Sequence, residues 1–412
     1  MRSALTTFLL LGLSTLYGCA SKDQFGVQEA ASPYGYQYQW EQGRIYHNRT
    51  GVEMTEQQLY DYLSGFSVVY VGESHDSVND HAVQLKILKA LVNRYPGQIA
   101  LGMEMLRTDS QEGVDQWVAG ELNEKEMMRL WADNWGGSSY PYYSDILQFV
   151  REEKIPLVAL NRPKTNQPNG HGPEATGESS TAVATHSPPP EPEIDWNDPY
   201  YDAYIGAFLS GHGHELGPDM REKFMRGQLL WDETMAETGA RYLAEAANHD
   251  KKLVIFAGGN HVRYGLGIPR RLFRRLPVNY AIVSPRVVSY TESSADKLMD
   301  VELPDLPMPE SDITWFVGYE DLEDKRVKLG VSIAPAEESG VLVEEVYADS
   351  PAAEAGLSEG DIIRKLDGET VGDMFDLSYQ LSSKVIGEKG SITIERDSKV
   401  ITLDISFRNA AR

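Results

Sequence analysis

Cysteine is almost absent from this chain of 412 residues. Cys19 is the only one, so no internal disulfide can staple the fold, even in an oxidising compartment. Positive charge is also scarce: 38 Lys and Arg stand against 62 Asp and Glu, a formal charge of −24. Nucleic acid is therefore excluded as a partner, because phosphate backbones call for concentrated Lys and Arg. The dense basic run "RRLFRR", Arg270 to Arg275, is too short to reverse this and reads as a solvated helix face. The first apolar run, Leu5 to Leu16, is too short to span a bilayer comfortably. What is present is a 41% apolar share, ordinary for a packed globular protein, over a length that suits two or three domains.

Arg2 ahead of the apolar run and "LYGC", Leu16 to Cys19, behind it read as an export signal over residues 1–18. The site resembles the lipobox of bacterial lipoproteins. That resemblance implies a lipidated Cys19 inserted in the bilayer, a tether over 19–45 and, from Ala20, the bacterial outer membrane.

Further along, Thr55 and Gln58 form a capping-box pattern with Met54 and Leu59 placed as a staple. Strands are expected at Phe66–Val71, Ile99–Met103, Leu157–Leu160, Leu253–Phe256 and Tyr280–Val283. Between them come helices near Asp80–Arg94, from Ser110, Asn123 and Ser144, and at Tyr200–Leu209, Asp219–His249 and Leu266–Arg275. Such alternation predicts an α/β fold over 46–300, a mainly parallel sheet with helices on both faces. Residues from Lys164 to about Asp198 have almost no large apolar side chains and read as an insertion that cannot pack, with His171 and His186 solvated.

The chemistry collects at the carboxyl ends of the expected strands. Gly72-Glu73-Ser74-His75 follows the first, Glu104 ends the second, Asn161-Arg162 follows the third and Gly258-Gly259-Asn260-His261 the fourth. In open α/β sheets ligands bind at that edge. Two imidazoles and one or two carboxylates meeting there can hold a divalent metal or activate a water. Arg221, Gln228 and Asp232 are spaced to share one helix face toward the same pocket.

"GESHD" with His81, "EM" at Glu104, "LNRP" at Leu160, "GQLLWDETMA" at Gly227 and "AGGNH" at Ala257 resemble the ChaN-like family of the haem-binding uptake and Tiki superfamily. The resemblance implies a Rossmann-like fold and a protein binding haem or iron for uptake. The cofactor site would draw on Glu73, His75, Glu104, Arg162 and His261, with Tyr140 and Tyr143 taken as ligand tyrosines from a set that includes Tyr142, Tyr200, Tyr201 and Tyr204. His212 and His214 in "GHGHE" are a further candidate pair. The Tiki-type metalloproteases and the erythromycin esterases supply the alternative, a hydrolase with His75, Glu104 and His261 as catalytic residues and metal ligands.

After a linker at 301–325, residues 326–408 resemble a bacterial PDZ domain through Ser350-Pro351-Ala352, Ala355-Gly356-Leu357, Gly360-Asp361-Ile362-Ile363 and Gly368. The resemblance makes Lys328, Leu329, Gly330 and Val331 the loop that receives a peptide or protein C-terminus. A pure interaction module is the third reading, and a homodimer is left open.

Overall fold

The computed structural model describes residues 40–163, 191–211, 218–290, 306, 308–322 and 327–408. Cys19, the export signal, most of the expected insertion with His171 and His186, and the His212/His214 pair lie outside these residues.

The first domain opens with a hairpin, β1 (Ile45–His47) and β2 (Val52–Glu53), then α1 (Glu56–Leu63), β3 (Val68–Glu73), α2 (Val78–Arg94) and β4 (Ile99–Arg107). Next come α3 (Gln111–Ala119), α4 (Glu124–Asn134), α5 (Tyr140–Glu153), β5 (Leu157–Asn161), α6 (Pro199–Gly211) and α7 (Pro218–Ala244). The domain closes with β6 (Lys252–Gly258), the single turn α8 (Gly259–Val262), α9 (Ile268–Arg275), β7 (Tyr280–Ser289) and β8 (Ile313–Gly318). The capping box forms as expected: Thr55 accepts from the Gln58 N–H at 3.2 Å, and Gln58 accepts from the Thr55 N–H at 2.8 Å. Asn123 and Glu126 build a second one at the start of α4.

The sheet runs β2-β1-β8-β7-β3-β6-β4-β5, parallel from β8 to β5 with the hairpin antiparallel at one edge. β3 is buried along its whole length, as a central parallel strand with both faces covered must be. Its alternating side chains divide between two cores. Val69 and Val71 face α1 to α5, whereas Val68 and Tyr70 face α7 and α9. From β3 the chain leaves toward β4 on one side, and from its neighbour β6 it leaves toward β7 on the other. This reversal opens a crevice between the carboxyl ends of β3 and β6.

Three expectations are corrected. The span read as a linker, 301–325, contains β8, all six of whose residues are buried beside β7; "ITWFVG" is a short apolar, β-rich run that a Pro-rich neighbour masks. The far end of the stretch read as an insertion to about Asp198 is anchored: Glu191 pairs with Arg226 at 2.6 Å, and the Glu193 carbonyl accepts from Arg275 at 2.9 Å. The "RRLFRR" run is not simply solvated: Arg271 is buried, and Arg271, Arg274 and Arg275 surround the buried Glu233. A buried charge requires such counter-charges.

The second domain contains β9 (Val331–Pro335), β10 (Val341–Val346), α10 (Pro351–Ala355), β11 (Ile362–Leu366), β12 (Glu369–Thr370), α11 (Met374–Ser382), β13 (Lys389–Arg396) and β14 (Lys399–Ser406). Its antiparallel sheet, β14-β13-β11-β10-β9 with β12 beside β11, closes over its own apolar core, and among the described residues β9 pairs on one side only. Gly330 has φ +77°, and a Cβ there would lie 2.2 Å from Ser350 Cβ, so only glycine fits. Among the described residues no helix is long and apolar enough to cross a membrane.

Candidate functional site at the sheet edge

The parallel register sets Glu73 on β3 against Gly258 on β6, which brings the two Gly-x-x-His turns side by side in the crevice. Glu104 arrives from β4 and accepts from the Gly258 N–H at 2.6 Å. Gly258 makes room for His75 as placed, since a Cβ would stand 2.9 Å from His75 Nε2 and 3.5 Å from Glu104 Oε2.

Glu73 is the centre of the first half of the site. Its fully buried carboxylate accepts from the Tyr143 hydroxyl at 2.5 Å and from Gln84 Nε2 at 2.6 Å. It also pairs with His75 Nδ1 at 2.7 Å and His81 Nδ1 at 3.2 Å. Burial alone would raise its pKa, but the charges and hydrogen bonds of His81 and His75 outweigh burial and hold it below the carboxylate range. The reciprocal holds for His81, where burial is overcome by the Glu73 charge and the value is pushed up to about 9. His75 is raised for the same reason, against burial, mainly by its hydrogen bond to Glu73. Its side chain is still 41% exposed: the ring reaches solvent while its nitrogens sit among carboxylates. Trp135 meets it edge-on at 5.1 Å. Asp80, one turn into α2, accepts from the Ser74 N–H at 2.8 Å and, because it is buried, is pushed up to about 6.

His261 is the centre of the second half. Nδ1 lies 2.6 Å from Asp232 on α7, and Nε2 lies 3.3 Å from Glu104. Asp232 in turn accepts from the Tyr201 hydroxyl at 2.7 Å. Burial opposes the imidazolium, yet Glu104 and Asp232 raise His261 well above its ordinary value. Glu104, which burial would raise, is correspondingly lowered by His261 and His75.

Of the expected site residues, Glu73, His75, Glu104 and His261 are brought together. Arg162 stands apart from this network, half-buried at the end of β5, where its N–H meets the Asn161 side chain at 2.7 Å. Tyr140 and Tyr143, expected as haem ligands, are both buried; Tyr140 packs on Trp131 and the Tyr143 hydroxyl is committed to Glu73. Burial and the Glu73 charge raise Tyr143 far above its usual value, which opposes the phenolate that iron takes up. The hydroxyls of Tyr201 and Tyr204 are bonded to Asp232 and Asn260. The expected metal trio is linked by hydrogen bonds and ion pairs, with both His261 nitrogens engaged, and among the described residues no group of three or more His, Cys, Asp or Glu is disposed to hold a metal ion. Of the three residues expected on one face of the long helix, only Asp232 reaches the site. Arg221 pairs with Asp202 at 2.9 Å instead, because eleven residues of helix separate it from Asp232 by about 16 Å.

Gln84 and Asp80 were not picked out from the sequence as site residues, and Tyr201 was named only among the candidate ligand tyrosines, not as the partner of Asp232. A signal existed for two of them: on α2 the buried stripe continues from Leu91, Leu88 and Ile87 back to Gln84, His81 and Asp80, polar residues where an apolar face is due.

Residues 59–272, just over half of the chain, match the family model described as haem-binding uptake, Tiki superfamily, ChaN. The chain belongs to this family. Residues 327–407 match the PDZ domain, so this ChaN-family chain continues into a PDZ domain. Among solved structures, ChaN of Campylobacter jejuni with cofacially bound haem is similar at TM-score 0.46 and 15% identity, covering 66% of this chain and 95% of that one. The HtrA-type protease AlgW with a decapeptide is similar at TM-score 0.20 and 28% identity, over 21% of this chain and 30% of that one. A probable DegP-like periplasmic serine endoprotease of Brucella suis is 36% identical over 79 residues, 19% of this chain and 15% of that protein. The chloroplastic protein RETICULATA-RELATED 5 of Arabidopsis thaliana is 22% identical over 251 residues, 55% of this chain and 32% of that protein. The ChaN-family chain thus spans between about a seventh and a third of these curated relatives' length.

Proposed function

We propose that this protein binds haem at the carboxyl edge of its sheet, in the service of iron uptake, and binds a peptide C-terminus in its PDZ groove. The family match over residues 59–272 carries the reading. The donor set agrees with it. His75 has Nδ1 committed to Glu73, makes no hydrogen bond through Nε2 among the described residues, and reaches solvent. A ligating imidazole whose other nitrogen rests on a carboxylate is oriented and made more basic. Bound haem would supply an iron that accepts this nitrogen. In the PDZ domain, Leu329 and Gly330 donate no backbone hydrogen bond among the described residues, which leaves their N–H groups for a carboxylate beside the β9 edge.

The test is haemin titration of the chain from residue 20 onward. A Soret shift in the parent that His75→Ala abolishes supports the reading; a folded parent with no Soret change rejects it. The same reading includes lipid anchoring through Cys19 at the bacterial outer membrane. It predicts that Cys19→Ser leaves the membrane fraction or stays unprocessed.

The Asp232–His261 hydrogen bond favours a second reading, hydrolysis by general acid–base chemistry, since an imidazole oriented by a buried carboxylate serves that purpose. Ester or peptide hydrolysis, lost in both His75→Ala and His261→Ala, would select it over haem binding.

A further inference from the structure

Two side chains one turn apart on α4 grip the PDZ domain. Arg129 forks onto both Asp373 and Asp376, the second at 2.9 Å, and Lys125 reaches Asp376 at 2.7 Å. Below these ion pairs, Arg129 lies over the Phe375 ring at 4.3 Å and Lys125 over Tyr379 at 5.3 Å. All four partners belong to the capped start or the near face of α11, the helix that walls the peptide groove opposite β9. Ser378, on the same helix, remains exposed.

The other end of α4 is built into the sheet-edge site. Trp131 packs 4.7 Å from Tyr143, whose hydroxyl bonds Glu73, and Trp135 at the C-cap contacts His75. Asn134 accepts from the Arg107 N–H at 2.7 Å, pinning the end of β4 beyond Glu104. A second attachment runs through the segment leading to the PDZ domain: Tyr319 donates to Asp76 at 2.8 Å, Val78 N–H to the Glu320 carbonyl at 2.8 Å and Tyr142 to Asp321. Asp76 follows His75, and Tyr142 precedes Tyr143.

We propose that α4 transmits the state of the PDZ groove to His75, so that a peptide bound along α11 alters ligand affinity at the sheet edge, and the reverse. A ligand shifts a distant site only if a shared element is biased by both, and α4, three turns long, is in contact with each. Linkage then makes the effect reciprocal. For the identity of the sheet-edge ligand the inference rests on the haem reading above; for the coupling itself it does not.

The experiment uses the full chain with Arg129→Glu, which repels Asp373 and Asp376, beside Arg129→Lys, which keeps the charge, and the milder pair Lys125→Ala with Arg129→Ala. Scattering reports release of the PDZ domain, the Cε1–H resonance of His75 reports the site without any ligand, and haemin titration reports affinity. Release in Arg129→Glu with a displaced His75 resonance and haemin affinity weakened about five-fold or more, both restored in Arg129→Lys, is the expected result. A released domain with an unmoved His75 resonance overturns the proposal, and so does a domain that stays docked. If the parent binds no haemin, the haem reading fails while the resonance still decides the coupling.

Discussion

Asp232 holds His261 by a 2.6 Å hydrogen bond to Nδ1, from the middle of a 27-residue helix to the first turn after β6. Both groups are almost fully buried, so each is the other's solvation. The bond also settles which imidazole nitrogen faces Glu104.

Removing that carboxylate strands a buried imidazolium between Glu104 and an empty place. Asp232→Ala is expected to destabilise the first domain by about 3–5 kcal/mol, measured by urea denaturation. Tyr201→Phe, which removes only the hydroxyl that Asp232 accepts, should cost about 1 kcal/mol. Equal effects for the two would show that the charge pair contributes nothing beyond an ordinary hydrogen bond.

Two glycines, Gly258 within the second Gly-x-x-His motif and Gly267 in the turn that follows it, separate site from scaffold. In Gly258→Ala the new methyl meets the far end of the His75 ring, which can swing away into solvent. The melting temperature should hardly move while haemin binding falls. In Gly267→Ala the methyl would lie 2.2 Å from the His261 carbonyl oxygen, backbone that cannot yield, and a loss of about 3 kcal/mol is expected. Calorimetry and Soret titration of both variants test the contrast; a Gly258→Ala chain with parental haemin affinity would remove His75 from the site.

The buried Glu73–His81 pair makes stability depend on alkaline pH. His81 titrates near 9 in the folded chain and near 6.5 when unfolded. Its contribution is therefore complete below pH 6.5 and is lost as pH rises through about 9. Melting temperatures between pH 7 and 10 should fall more steeply in the parent than in His81→Gln. Parallel profiles would mean that His81 is not charged in the fold.

The insertion offers a boundary test. Excision of 165–189, bridged by a short Gly-Ser linker, should change stability by less than about 0.5 kcal/mol, as surface changes do. Extending the cut through Glu193 removes the carbonyl that accepts from Arg275 and the Glu191–Arg226 pair, and should cost about 1–3 kcal/mol. Identical melting curves for the two deletions would contradict the anchoring at 191–193.

Much of this molecule is decided locally, and so was readable from residue order. Apolar, β-branched runs such as "VVYV" suit central parallel strands, and Thr55 with Gln58, or Asn123 with Glu126, satisfies the open N–H groups of the next helix without outside help. Gly-x-x-His after two such runs already places His75 and His261 at carboxyl ends, whichever strands turn out to be neighbours. The order of strands is not local. Only folding sets β6 against β3, and that adjacency, not the motif, puts Gly258 beneath His75 and Glu104 between the two histidines. The same holds for the choice of partners: Tyr143 went to Glu73 instead of standing free, Asp232 alone of its helix face reached the site, and β8 was drawn out of a Pro-rich stretch to cover β7. Each of these depends on which surfaces meet once the sheet closes, and a buried carboxylate takes whatever donor the packing brings within reach.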